Sequence, residues 1–406
     1  MTDAGTLLRA VLAQPEDEAV RLVYADWLEE QGDPRAEFIR LQIALAHSSP
    51  ADARHFENKA RAGALLKKHQ QTWLGPLAKF AKAWHFSRGF VENVTLETKT
   101  FLKLGDELFH FAPLRGLRLI NVRDHFEAVA ESPCLSRLSA LDLNNNSLGA
   151  QRIQRILGSP HLSNLQSLSI GYNAIGISGL QAALDPARLP SLSELDLSGN
   201  FNGGSSMQVL ARSRELLRLK SLSLVYNRYG DEEVETLAAS PYVANLSSLD
   251  LGSNSVDAAG LRALAFSPHL TRLKSLRLHY LTFSEAGIQA LASSPHWSEL
   301  GDLDLTHGIG MCNLEALTNS SSLLRLHRLD LSENSLTTRN IELLAKATSL
   351  ERLCRLGLRK CGIKYAEARM LLNSEGLAGL KCLELGGNPL TAKAALRKAF
   401  GARVRF

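Results

Sequence analysis

The sequence has little of what most reaction centres need. Its five cysteines (Cys134, Cys312, Cys354, Cys361 and Cys382) are odd in number and form no C-x-x-C pair. That excludes a disulfide framework and a clustered zinc site, and the expectation is reduced thiols in a cytoplasmic protein. No apolar run reaches the ~18 residues of a membrane helix, and the start, Met1-Thr-Asp-Ala-Gly5, lacks the basic head and apolar core of a signal peptide. Charge is nearly balanced, with 46 basic and 41 acidic residues, which argues against a dedicated nucleic-acid binder. The phosphate-loop, H-E-x-x-H, G-x-S-x-G and G-x-G-x-x-G frames are missing too. No catalytic, cofactor-binding or metal-ligating residue is therefore assigned, and the expectation is a protein that is not an enzyme, without a cofactor.

What the chain has is repetition. The string Leu138-Ser-Ala-Leu141-Asp-Leu143-Asn-Asn-Asn146-Ser-Leu148 returns from Leu165, Leu192, Leu219, Leu246, Leu273, Leu300, Leu326, Leu353 and Leu380. Successive starts are 27 residues apart, with one step of 26 from Leu300 to Leu326, and degenerate copies begin at Leu114 and Val91. Leu141 and Leu143 lie two apart and share one face of a strand, while Asp142 faces out. One such strand cannot bury its leucines alone, but stacked parallel strands share a continuous core. The asparagine at 146, 173, 200, 227, 254, 334 and 388 stands where the chain turns off the strand and can satisfy backbone groups there. Cys361 fills the same slot. Between strands run helical stretches such as 257–266, with Leu261, Leu264 and Ala265 on one face. Many end in Ser-Pro (159–160, 240–241, 267–268, 294–295), and proline is expected to stop the helix.

The frame L-x-x-L-x-L-x-x-N/C-x-L resembles the leucine-rich repeat, and repeats long enough for a full helix resemble its ribonuclease-inhibitor class. The resemblance implies an α/β fold: a solenoid curved as a horseshoe, with a parallel sheet on the concave face and helices on the convex face. A small all-α domain precedes it. Residues 5–46 read as three helices, the second carrying Val20, Val23, Tyr24, Trp27 and Leu28 as one stripe. The stretch from Arg21 to Gln42, with Tyr24-Ala-Asp-Trp-Leu28 and Gly32-Asp-Pro-Arg-Ala-Glu-Phe-Ile39, resembles the bacterial repeat-companion domain of planctomycete and some myxobacterial proteins. That implies a bacterial source and an architecture, but no activity.

The expected organisation is a companion domain over 1–48, a helical linker and N-terminal cap over 49–89, about eleven repeats over 90–390, and a C-terminal cap over 391–406. Trp84 to Gly89 and Phe90 to Leu96 read as a tight strand pair. The array is expected to fold without residues 1–46. Residues 1–37 hold nine acids and three bases, and 38–89 hold two acids and nine bases. These segments are expected to attract each other when packed, with an acidic partner as the alternative.

From Leu138 to Leu305 a double repeat overlies the single one. The exposed strand residue runs Asp142, Ser169, Asp196, Ser223, Asp250, Arg277, Asp304, and three places on the chain reads Asn145, Tyr172, Gly199, Tyr226, Ser253, Tyr280, His307. Around 273–310 the array breaks its rules: Leu281 and Gly308 replace the turn asparagine, the spacing shortens, and the Ser-Pro stop is lost. Loosened loops are expected there, with Gly308 and Gly310 permitting unusual backbone. Tyr172, Tyr226, Arg277, His279, Tyr280, Asp304 and His307 are accordingly the candidate partner-binding residues. A weak metal site at His279, His307 and Asp304 is the minor alternative. His161, His269 and His296, each after a proline, read as repeat-consensus residues. The expected function is a monomeric protein-binding scaffold with no nucleic acid and no membrane partner. Its alternative is a regulator of a partner enzyme, which the resemblance to ribonuclease-inhibitor and GTPase-activator arrays suggests.

Overall fold

The computed structural model describes residues 4–48, 54–201, 203–310 and 312–406, and the chain divides into two compact units, 1–192 and 193–406. In the first unit, helices α1 (Ala4–Ala13), α2 (Glu18–Glu30), α3 (Arg35–His47) and α4 (His55–Leu74) precede the strands. The strands are β1 (Ala83–Ser87), β2 (Phe90–Glu97), β3 (Gly116–Ile120), β4 (Ala140–Asp142) and β5 (Ser167–Ser169). β1 and β2 form the expected antiparallel hairpin. Both turn residues are left-handed (Arg88 φ +48°, Gly89 φ +88°), the sign a two-residue hairpin turn needs to match strand twist. From β2 onward each strand runs parallel to the next, in a register that stacks Val94, Leu117, Leu141 and Leu168.

The charge contrast of the N-terminal region is resolved inside the fold. Arg40 of α3 pairs with Asp26 and Glu29 of α2, and Arg61 of α4 pairs with Glu37 of α3. These exposed, solvent-screened pairs add little stability and serve to orient the helices. The helices do not close a core of their own. Val11, Tyr24, Ala25, Leu28, Ile39 and Ile43 pack with Phe90 of β2, and Phe38 stacks on Trp73 and meets Phe86 of β1 edge-on. The expected independence of the array from residues 1–46 thus meets a core shared with the hairpin.

The second unit carries β6 (Glu194–Asp196), β7 (Ser221–Ser223), β8 (Ser248–Asp250), β9 (Ser275–Arg277), β10 (Asp302–Asp304), β11 (Arg328–Asp330), β12 (Arg355–Gly357), β13 (Cys382–Glu384) and β14 (Val404–Arg405). All pair in parallel, and Leu195, Leu222, Leu249, Leu276, Leu303, Leu329, Leu356, Leu383 and Val404 form one column. Each of these leucines is buried, a gain of roughly 1.5–3 kcal/mol apiece. A helix follows most strands. It shrinks to the single turn Glu315–Thr318 where the repeat spacing falls to 26.

Beside the expected proline stop, a serine ties one coil to the next. The buried serine before the proline donates its hydroxyl to the last turn of the helix in the coil before. Ser240 Oγ reaches Ala211 O at 2.6 Å, Ser267 reaches Ala238 O at 2.5 Å, and Ser294 reaches Ala265 O at 2.5 Å. Ser320, Ser349 and Ser374 do the same to Ala292, Thr318 and Ala345, with no proline after them. The tie between coils is therefore kept through the irregular repeat by Ser320. At the C-terminal end the helix Lys393–Phe400 buries Leu396, and Lys393 and Arg397 lie over the Phe406 ring.

Candidate partner-binding site

Each coil leaves its strand through a common joint. Where the strand carries an aspartate, it accepts a hydrogen bond from the N–H two residues on: Asp142 from Asn144 (2.8 Å), Asp196 from Ser198 (3.0 Å), Asp250 from Gly252 (3.0 Å), Asp304 from Thr306 (3.0 Å) and Asp330 from Ser332 (3.1 Å). The residue that follows is left-handed, with φ between +54° and +63° from Asn145 and Tyr172 through Gly199, Tyr226, Ser253, Tyr280 and His307 to Glu333. Its N–H donates to the next coil, as from Tyr226 to Gly252 O (3.1 Å), Tyr280 to Thr306 O (2.7 Å) and His307 to Ser332 O (2.9 Å). The asparagine then binds in both directions. Asn227 donates to Leu197 O and Leu224 O and accepts from the N–H groups of Asn200 and Phe201.

This joint assigns the exposed acids a local role that sequence reasoning missed: they brace turns. It also makes the tyrosines costly. Left-handed backbone costs a residue with a Cβ roughly 1–2 kcal/mol, which glycine escapes. Tyr172, Tyr226 and Tyr280 all occupy that slot, and these residues are 42%, 58% and 48% exposed.

In the second unit the structure gathers most of the candidates. The Tyr280 ring stacks on His307 (centroids 4.9 Å apart) and meets His279 edge-on at 5.8 Å. Its hydroxyl donates to Glu333 Oε2 at 3.0 Å, and Lys360 Nζ donates to Glu333 Oε1 at 2.8 Å. His279 Nε2 lies 3.3 Å from Asp250 Oδ1, and Arg277 Nη1 lies 3.9 Å from Asp250 Oδ2. A Cβ at Gly252 would run into the His279 ring, so this glycine seats the imidazole. The bond to Asp250 raises the His279 pKa above its ordinary value. Glu333 is held below the usual carboxylate range by its bonds from Lys360 and Tyr280. Asp304 is committed to its own turn, accepting from Thr306 N and Oγ1. Tyr226 stands two coils from Tyr280, and Tyr172 belongs to the first unit.

Asp250, Glu333 and Lys360 were not among the sequence candidates. The signal was present: Glu333 and Lys360 continue the column of Tyr280 and His307, and Lys360 is also left-handed (φ +52°). The two histidines engage different partners, His279 an acid and His307 an aromatic ring. Among the described residues no group of three or more His, Cys, Asp or Glu is arranged to hold a metal ion. The backbone N–H groups of His161, His269 and His296 are bound by the preceding serine hydroxyls, a repeat-turn role.

The loops at Leu281 and Gly308 are tied, against the expected loosening. Leu281 is buried, Phe283 N donates to Gly308 O at 2.8 Å, and Asn334 Oδ1 accepts from Gly308 N and Ile309 N at 2.9 Å each. Gly308 serves close approach, since a Cβ there would stand 2.6 Å from the Phe283 ring and 2.9 Å from Leu281 O. Only Gly310 of the pair is left-handed (φ +57°). The strand face of the first unit holds a separate groove, lined among others by Trp84, His85, Asn93, Arg118 and Asp142, which the sequence did not single out.

The leucine-rich-repeat frame, the in-register parallel strands and the helix after the strand define the class: an α/β leucine-rich-repeat solenoid preceded by a small helical region. The profile of the Leucine Rich repeat family matches residues 161–182 and 244–265. A search of curated proteins gives no match. Among solved structures, the TLR13 chain of a TLR13–ssRNA13 complex is similar over 74% of this chain, at 20% identity and a TM-score of 0.46. This chain spans 46% of that one. An internalin (inlF) of Listeria monocytogenes str. 4b F2365 is similar over 79% of this chain and 90% of its own, at 17% identity and a TM-score of 0.42.

Proposed function

We propose that the protein is a non-enzymatic scaffold that holds a protein partner against the strand face of its second unit, in the patch around Tyr280. The observation that carries this reading is Tyr280 itself. A large aromatic sits half-exposed in a backbone conformation that costs it free energy, so the side chain, not the turn, accounts for its place. Stacking on His307 and the bond to Glu333 hold the ring before any partner arrives, so little rotamer entropy remains to be lost. Arg277 and Tyr280, three residues apart on one coil, are of the residue types that dominate protein interfaces.

In this reading the protein works as a monomer in the cytoplasm of a bacterium. The source rests on the companion-domain resemblance, and the compartment on five buried, unbridged thiols. The test is a pull-down from cells that make the protein, comparing wild type with the triple variant Tyr226→Ser, Arg277→Ser, Tyr280→Ser. A protein held stoichiometrically by wild type and at least tenfold less by the variant is the expected result. Equal retention by both chains, or loss of the partner after ribonuclease treatment, overturns the proposal.

A further inference from the structure

β1 is an end strand of the first unit, and an end strand offers unpaired backbone groups to any chain that can add to it. Its turn end is covered by side chains of α2 and α3. Gln42 brackets the turn, with Nε2 donating to Phe86 O at 3.1 Å and Oε1 accepting from Gly89 N at 2.7 Å. Arg21 Nη1 donates to Arg88 O at 3.1 Å, and Arg35 Nε to Gly89 O at 3.3 Å. The Arg35 guanidinium also lies over the Phe90 ring, 4.4 Å from its centroid. Gly89 is pressed onto Ile39, where a Cβ would come within 2.8 Å of the Ile39 Cα.

Beneath the turn lies a buried ion pair. Arg21 is 0% exposed, and its Nη1 is 2.8 Å from Glu92 Oε1 of β2. Burial pulls the Arg21 pKa down while Glu92 holds it up. Glu92 also takes two bonds from Arg88, and Arg88 reaches Glu16, which pairs with Arg115 as well. A buried pair of this kind seldom adds much stability over apolar packing, but it penalises any arrangement that leaves one charge alone.

We infer that α1–α3 form a socket for the Arg88-Gly89 turn and the Phe90 that follows it, and that their work is to cap the sheet at β1. Most polar contacts from the socket go to backbone atoms of residues 86–89, so it reads the shape of the turn rather than its side chains. It demands a residue without a Cβ at 89 and an aromatic at 90. Arg21, Arg35, Ile39 and Gln42 all fall in the stretch that resembles the companion domain, so the residues behind that resemblance are the residues of the cap. This reading is independent of the partner patch, which lies in the other unit.

The test uses the full chain and its Gly89→Ala and Gln42→Met variants, followed by amide exchange and light scattering. Gly89→Ala should lower protection across α2 and α3 at least tenfold and bring on self-association through the uncovered β1. Gln42→Met, which keeps its side chain's length but loses both bonds, should do the same more weakly, by about threefold. Gly75→Ala is the control: Gly75 is also left-handed (φ +54°) but has open space around it. It should leave α2 and α3 protected. Unchanged protection and a monomeric state in both socket variants would overturn the inference, as would equal losses in the Gly75 control.

Discussion

The coils around Asn227 and those around Leu281 and Gly308 solve one problem with different chemistry. In the first, a side-chain amide completes the turn: four buried backbone groups, from Leu197, Asn200, Phe201 and Leu224, are satisfied by a single carboxamide. In the second, Leu281 fills the slot with apolar bulk, and Gly308 lets the backbone close onto Phe283. The Gly308 carbonyl takes the place of the lost amide by accepting from Phe283 N, and Asn334, one coil on, accepts from Gly308 N and Ile309 N as in a regular joint. A solenoid joint can therefore lose its amide and stay closed when a backbone carbonyl of the next coil takes over the bond. The substituted coils are also where Tyr280 and its neighbours gather.

The comparison breaks most severely at the amide. Asn227→Ala should cost roughly 3–5 kcal/mol, because several buried groups at ~1–3 kcal/mol each are stranded together. Urea unfolding measures it, and a loss below about 1 kcal/mol would mean that water or the neighbouring coils replace the amide. Gly308→Ala comes next, at roughly 1–3 kcal/mol, since neither the Phe283 ring nor the Leu281 carbonyl has room to give. Gly310→Ala should cost less, about 1 kcal/mol, from backbone strain alone. The reverse order in thermal melts would show that backbone freedom, not packing, fixed both glycines.

Cys361→Asn sharpens the comparison from the other side. Cys361 already accepts the joint geometry, with its N–H bound to Asn388 Oδ1 and its thiol on Leu331 O. Burial pushes that thiol up to about 11, so it is inert at neutral pH. An asparagine should enter with a change below about 1 kcal/mol in either direction. A loss like that of Asn227→Ala in the same urea titration would show that the slot is built for sulfur.

The smallest effect is in pH. His279, raised by Asp250, contributes stability that is full below the ordinary imidazole pKa and is lost as pH rises through its higher folded value. His327, in the next regular coil, is lowered by burial, so its contribution is present above the ordinary value and is lost as pH falls through the folded one. Imidazole titrations by NMR should place the two on opposite sides of free histidine. Asp250→Asn should bring His279 back down and leave His327 in place.

Much of this was legible from residue order. The leucine spacing fixed the strands because side chains two apart must share a face, and the asparagine slot marked each turn because only a short amide serves both directions. The serine ties were less visible, since the prolines beside them drew the eye and the carbonyls they bind lie about one repeat away. The left-handed slot was hidden altogether. Tyr, His, Glu and Lys all occupy it, so no residue type announces the backbone sign. The acids between the leucines looked like an exposed row and proved to be turn braces for the same reason: a bond from an N–H two residues on leaves no trace in composition.

Sequence by itself determined the repeating unit, the strand and helix in each coil, and the hairpin ahead of them, because these depend on residues within about one period. Tertiary structure decided which exposed side chains meet. Tyr280 and Glu333 are 53 residues apart and touch because stacked coils set equivalent positions side by side. Arg21 reaches Arg88 across 67 residues, and the burial of its charge depends on that closure. Local pattern carries no record of either distance, since each contact exists only after the intervening coils or helices have packed.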